Sequence, residues 1–316
     1  MKRITIILSL LLVVQLFAVP LLSAQDADDE ENVTSSTSVI ELQISSLPEA
    51  KLLFNQKFKF PFLAGSGALT KGNNIAITLT GEVTPITLGL IAEVVWTPIA
   101  FLQAVIGGRA GTGWKVNLFG GELYGIGFNR EDGGGLSEWY GNGFKELQWE
   151  AYAGGVFQFD FAAIFPGDWH HVVLRTYHEV GYRGNSAGGP GDSWYFENDD
   201  GENMNGFDYY GNFLVGYQMP IFWDTVGILT EMELYLYDTP NREDWGDNLI
   251  RWKFALVNHF SIGKKFGIAV LVQFRTVRNY NEANWKELYY QNRTLDTSNK
   301  LSFKFYRVAG LFSYKF

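Results

Sequence analysis

The sequence predicts an all-β chain, an antiparallel up-and-down transmembrane β-barrel of about twelve strands, with short turns at one end and long loops at the other. Three observations carry that expectation. Segment after segment alternates apolar and polar side chains with period two, the periodicity of a strand. From residue 96 onward the connections alternate short and long, as they do when turns lie on one side of a membrane and loops on the other. The third is the stretch 306–316, which sets Tyr306, Val308, Gly310, Phe312, Tyr314 and Phe316 on one face and Arg307, Ala309, Leu311, Ser313 and Lys315 on the other. Termini of soluble chains fray and tend to be polar. A closed barrel ends on such a strand because its last strand pairs with its first and leaves no edge.

Composition agrees. The 316 residues include 25 Phe, 16 Tyr, 10 Trp and 35 Gly but only 4 Met, a balance suited to strands, tight turns and interfacial girdles. There is no cysteine, which excludes disulfides, thiolate metal sites and cysteine nucleophiles. A net charge of -9 argues against nucleic acid as a partner. Lys2 and Arg3 precede an apolar run over 4–22 that is interrupted by Thr5, Ser9, Gln15 and Pro20. With Leu22-Ser23-Ala24 as the cleavage sequence, 1–24 reads as a signal peptide. An uncleaved anchor is the alternative, since the run is long. Residues 25–38, with acidic side chains over 26–31, read as a disordered segment, and 39–316 as the barrel.

The strands follow in order. A weak one spans 39–45. A strong one over 51–62 sets Phe54, Phe58, Phe60 and Phe62 against Asn55, Lys57 and Lys59. Then come 73–80, 84–96 and 99–108, the last two joined by a turn at Thr97-Pro98. The apolar run 86–106 is long enough for a membrane helix. Pro98, Glu93 and many β-branched residues favour a hairpin instead. Residues 107–143 are glycine-rich, and 115–129 within them suits either a further hairpin or a segment folded into the lumen. The remaining strands are 146–161, 169–182, 207–219, 226–237, 249–262, 265–277 and 301–316. Twelve is even, so both ends fall on the short-turn side; ten or fourteen strands stay open.

Alternation alone does not say which face is inside. Given the barrel that the rhythm of connections supports, the charged face is the inner one, which places Glu150, Arg175, Glu179, Glu233, Lys253 and Arg275 on the lumen wall. A hairpin over 238–248 centred near Glu243 would set Glu233 opposite Lys253, and the tight turn over 261–264 would set Lys253 beside Arg275. Such a ladder reads either as a selectivity device or as a network that fills a narrow lumen.

Catalytic signals are poor. Of the four histidines, His178 shares an apolar face with Thr176 but has no serine beside it, and His171 and His259 fall on lumen faces, while His170 shows no pattern. The glycines over 108–113 lack the Lys-Ser/Thr of a phosphate loop. Asp192, Glu197 and the run over 198–203 are rich in oxygen ligands, yet a solvated outer loop fits their spacing better than a calcium site. The sequence therefore predicts no catalytic residue, no cofactor and no metal.

With a signal peptide, no cysteine, alternating strands and a terminal Tyr314-Lys315-Phe316, the chain resembles the outer-membrane β-barrel proteins of diderm bacteria. The stretch Trp96-Thr97-Pro98-Ile99-Ala100-Phe101-Leu102 with Gly111-Thr112-Gly113-Trp114 further resembles spirochaete-type barrels. The first resemblance implies outer-membrane lipid and the barrel assembly machinery as partners. The assembly signal would be Tyr306, Val308, Gly310, Phe312, Tyr314 and Phe316, and both termini would be periplasmic. The expected function is a porin-like passive channel for small hydrophilic solutes. The alternative is a closed barrel whose long loops serve as a surface structural or binding element.

Overall fold

The computed structural model describes residues 33–47, 49–118, 121–128, 143–189, 193–197, 202–236, 244–281 and 293–316. The signal peptide expected over 1–24 and the acidic run over 26–31 lie outside them. The described residues form one closed barrel of twelve strands. These are β1 (Ser35–Ser45), β2 (Ala50–Pro61), β3 (Asn74–Val83), β4 (Thr87–Ile99), β5 (Leu102–Gly113), β6 (Gln148–Asp160), β7 (His171–Asn185), β8 (Gly206–Gln218), β9 (Thr225–Tyr235), β10 (Arg251–Ile262), β11 (Phe266–Arg278) and β12 (Leu301–Lys315). Each pairs antiparallel with its neighbour in sequence, and β1 closes the ring on β12, with Val39 opposite Lys315 and Ser45 opposite Ala309. The backbone N–H of Phe316 donates to Ser38 O at 3.0 Å, so the aromatic end is tied into the seam.

The wall is inverted relative to a soluble barrel. On β10, Leu256 is 51% exposed and points outward, while Ala255 beside it is 2% exposed and points in. Charged and amide side chains share that interior: Glu231 is 1% exposed and Gln273 is fully buried. An outer face of Leu, Ile, Val and Phe around a polar interior is stable only where hydrocarbon surrounds it. A strand of about 13 residues is ~43 Å long and, tilted by ~45°, spans ~30 Å, the thickness of a bilayer core. Aromatic side chains ring both ends. Trp149, Tyr182 and Phe207 pack in sequence across β6, β7 and β8, with centroids 5.3 and 5.0 Å apart. At the other end Phe222 and Trp223 stack on Phe260. The fold is thus a transmembrane β-barrel.

Four expectations need correction. Residues Ser35 to Ser38 belong to β1, paired with Lys59 through Gln56 of β2, where the sequence suggested disorder. The hairpin after β4 turns at Ala100-Phe101. The ladder breaks between Trp96 and Ile99 and resumes with Ile99 opposite Leu102, because Pro98 offers no N–H but does not stop the strand. The centre of the hairpin between β9 and β10 is shifted by one residue and its pairing by two, so that Glu231 faces Lys253 and Glu233 faces Arg251.

The fourth correction concerns Tyr306. A bulge between Gln273 and Phe274 of β11 leaves it without a ladder partner, Arg307 and Phe305 flanking it in register. Tyr306 and Arg307 are consequently both buried in the interior. Below that point Val308, Phe312 and Phe316 stay on the outer face, as expected, and above it Phe303 and Phe305 take the outer face. A bulge resets the two-residue phase by one, which alternation read along a single strand cannot foresee.

The lumen and its loop plug as the candidate functional site

Four of the connections, over 114–147, 186–205, 236–250 and 279–300, are long and lie at one end, with the short turns over 46–49 and 84–86 beside them. In the 115–129 region both sequence alternatives are realised. Lys115–Leu118 pairs with Gly121–Tyr124 as a hairpin, and Ile126–Phe128 then pairs with Trp194–Phe196 from the next long loop. That second pair sits in the mouth of the barrel. Ile126 and Trp194 are almost fully buried, 1% and 2% exposed. Gly125 presses against the wall so closely that a methyl group there would stand 1.8 Å from Ile86 O.

Charged groups of the same loops fasten the plug. Lys51 Nζ of β2 lies 2.8 Å from Glu197 Oε1 and 3.2 Å from Glu82 Oε2, and Arg109 of β5 reaches the same Glu82 oxygen at 3.1 Å. Thr87 Oγ1 donates to Glu197 at 3.1 Å. Glu202 pairs with Arg251 and Arg278. Burial pushes its carboxyl up, but Arg278 and Arg251 outweigh that and hold it down at about 2. Glu197 and Glu202 are thus buried ion-pair partners where the sequence suggested a solvated loop. Asp192 and residues 198–201 lie outside the described residues.

Beneath the plug runs a belt of charge. Arg183 pairs with Asp208, lies 4.0 Å from Glu150 and donates to Asn203 Oδ1 at 3.1 Å. Glu233 meets Arg251 at 2.8 Å and Lys253 at 2.7 Å. Arg275 lies beside Lys253 in the ladder and over the Tyr306 ring at 4.4 Å. Arg307 donates to Gln273 at 2.6 Å and pairs with Glu49. Glu179 accepts from Tyr177, and Arg175 donates to Asn212 at 3.2 Å.

All six wall residues expected from sequence therefore face the interior. Glu233, Lys253 and Arg275 form one group on β9, β10 and β11, while Glu150, Arg175 and Glu179 lie with Arg183 on β6 and β7, with β8 between the two groups. Sequence reasoning placed Arg307 on the inner face but did not single out Lys51, Glu82, Arg109, Arg183, Asp208 and Arg251. The phase of their strands marked them, but they sit nearer the strand ends than the mid-strand charges that drew attention.

Towards the short turns the interior becomes apolar, with Leu229, Ala255, Val257, Ala269, Leu271 and Leu311 packed together. Closer still to that mouth, His171 lies 2.6 Å from Asp160 and His259 2.7 Å from Asp224. His178 is on the outer wall, 2.5 Å from Tyr209 Oη.

No protein-family model matches the chain, and no curated protein matches it. Among solved structures, the KdgM porin aligns at a TM-score of 0.37 with 10% identity, over 89% of this chain and 99% of its own. The NanC porin gives 0.37 and 7%, over 88% and 98%. CdiB from Acinetobacter baumannii gives 0.37 and 7%, over 90% and 60%. Likeness at this level transfers nothing from those proteins. By its own wall, the chain is a twelve-strand transmembrane β-barrel with a charged lumen and loops folded into one mouth.

Proposed function

We propose that this barrel sits in a bacterial outer membrane and passes small hydrophilic solutes through a constricted lumen of mixed charge. In the conformation described it rests closed, with the Ile126–Phe128 and Trp194–Phe196 pair as the occluding element. The observation that carries the reading is the charged belt. Filling a narrow barrel needs only apolar side chains, and replacing buried ion pairs by such residues is often neutral or stabilising. A lumen that keeps Arg183, Asp208, Glu233, Arg251, Lys253 and Arg307 is supported as a water path rather than a filler. Both termini are assigned to the periplasmic side, with the last strand read by the assembly machinery after removal of 1–24.

A second reading has its own support. The apolar cluster around Ala269 and Leu271 is tightly packed across part of the lumen, as in a closed barrel that acts through its loops. Liposome swelling separates the two when wild type is compared with Lys51→Ala/Glu197→Gln, which loosens the plug. Swelling that rises in the variant supports passage. A variant as tight as wild type overturns it and leaves the closed barrel.

A further inference from the structure

The short-turn mouth holds an arrangement that the passage reading does not use. Asp224 precedes β9, and His259, Gly267 and Ser313 lie on the inner faces of β10, β11 and β12. Gly267 pairs with Ser261 on one side and Ser313 on the other, so these three lie at one level of the wall, and His259, opposite Ala269, lies one inward-facing step above them. His259 Nδ1 is 2.7 Å from Asp224 Oδ1. The other oxygen of that carboxylate accepts from Ser261 Oγ. The carboxylate is therefore held from two sides and in turn fixes the imidazole ring.

The other ring nitrogen lies over Gly267. A methyl group at Gly267 would stand 3.0 Å from His259 Nε2 and 2.6 Å from Ser313 Oγ. Both heads thus share the space left by the missing side chain. Ser313 Oγ makes only a long bond of 3.4 Å to Gly267 O. Ser313 Oγ and His259 Nε2 are not hydrogen-bonded to each other, but a hydroxyl near an imidazole whose far nitrogen is oriented by a carboxylate has the members of an activated serine, and such contacts are often loose before substrate binds.

We propose that Ser313, His259 and Asp224 form a nucleophilic serine site in this mouth that acts on small neutral carboxylic esters. Ser313 Oγ attacks the ester carbonyl carbon while its proton passes to His259 Nε2. The tetrahedral adduct collapses, the bond from the acyl carbon to the alkoxy oxygen breaks, the alkoxy group leaves as an alcohol carrying the proton from His259 Nε2, and an acyl-serine remains. Water then adds to the acyl carbon, gives a proton to Nε2, and the carboxylic acid departs as Ser313 recovers its proton. Asp224 acts through His259 and is a positioning residue. Two neighbours select the substrate. Glu41 faces Ser313 across the β1–β12 seam, which disfavours anionic esters. Ala269 beside His259, and Leu311 next above Ser313, offer apolar contact to a short acyl chain. The site is independent of solute passage.

The test uses the full chain in detergent micelles, with a fluorophosphonate probe and p-nitrophenyl butyrate. Wild type should take one label on Ser313, located by peptide mass, and should release p-nitrophenol. Ser313→Ala should abolish both signals, and His259→Ala should cut labelling on the order of a hundredfold. Asp224→Asn should do the same while Asp224→Glu recovers part of the rate, with heat-modifiable migration showing each barrel intact. Gly267→Ala, which wedges the two heads apart without altering either, should also cut labelling. An unlabelled wild type, a label on Ser261 or elsewhere, or labelling that His259→Ala leaves unchanged would overturn the proposal. The channel reading is decided separately, by liposome swelling of wild type against Lys51→Ala/Glu197→Gln.

Discussion

Replacing Glu202 by glutamine should release the loop plug. Its carboxylate joins Arg251 of β10 and Arg278 of β11 to the loop over 186–205, and all three side chains are largely buried. Removing one member of a buried ion pair costs about 3–5 kcal/mol, because the partner charge stays desolvated. Arg251 keeps Glu233 at 2.8 Å, which favours the lower figure. A loss of ~3 kcal/mol moves the closed-to-open ratio about a hundredfold. Acid should act on the same bond. The folded carboxyl is held at about 2 against an ordinary 4.5, so its contribution is whole above pH 4.5 and fades as pH falls from there towards 2. The depression corresponds to ~3 kcal/mol, in keeping with the mutational figure. Single-channel recording in planar bilayers reads both effects. Wild type should open as pH falls through that window, and Glu202→Gln should be open at neutral pH with no further response. A Glu202→Gln variant that stays closed at neutral pH, or that still opens with acid as wild type does, would refute the latch.

Other outcomes follow from the wall. Leu256→Arg on the outer face should cost about 2–4 kcal/mol in lipid vesicles, measured by urea titration, whereas a water-facing position would tolerate it. Lys253→Glu would set a third carboxylate beside Glu231 and Glu233, so the barrel should lose heat-modifiable folding unless the lumen is hydrated. If it folds, the ratio of cation to anion permeability should rise. Gly111→Val should displace Phe196, whose ring already stands 2.6 Å from where a methyl group would sit, and raise liposome swelling. Deleting Phe316, which is tied to Ser38 through its backbone, should lower the folded fraction reaching the outer membrane; unchanged levels would speak against a role for the last residue in assembly.

Most of the wall was legible because its physics is local. Side chains alternate along a strand whatever surrounds it, so Leu256 and Ala255 could be assigned to opposite faces from order alone. Strand number and the clustering of long loops at one end followed from turn residues and polar runs. Register was legible only as far as hairpin lengths are regular, and the two-residue shift opposite Lys253, from Glu233 to Glu231, shows the limit. The bulge at Gln273 was invisible, because it depends on two strands adjusting to each other and turns Tyr306 inward against its own strand's phase.

The candidate sites divide along the same line. Sequence placed Glu150, Arg175, Glu179, Glu233, Lys253 and Arg275 on inner faces, since each needs only its own strand to be right. It could not bring Glu197 to Lys51, Glu202 to Arg278 or His259 to Ser313, which are separated by long stretches of chain. By itself the sequence determined strands with one apolar and one charged face, and its rhythm of short and long connections pointed to a membrane barrel with the apolar face outside, because turns and loops separate only when strands cross a bilayer. Only closure of the ring decided which charges meet, that two loops fill one mouth, and that a serine and a histidine share the space over Gly267, because those contacts exist only once the strands have curved to face one another.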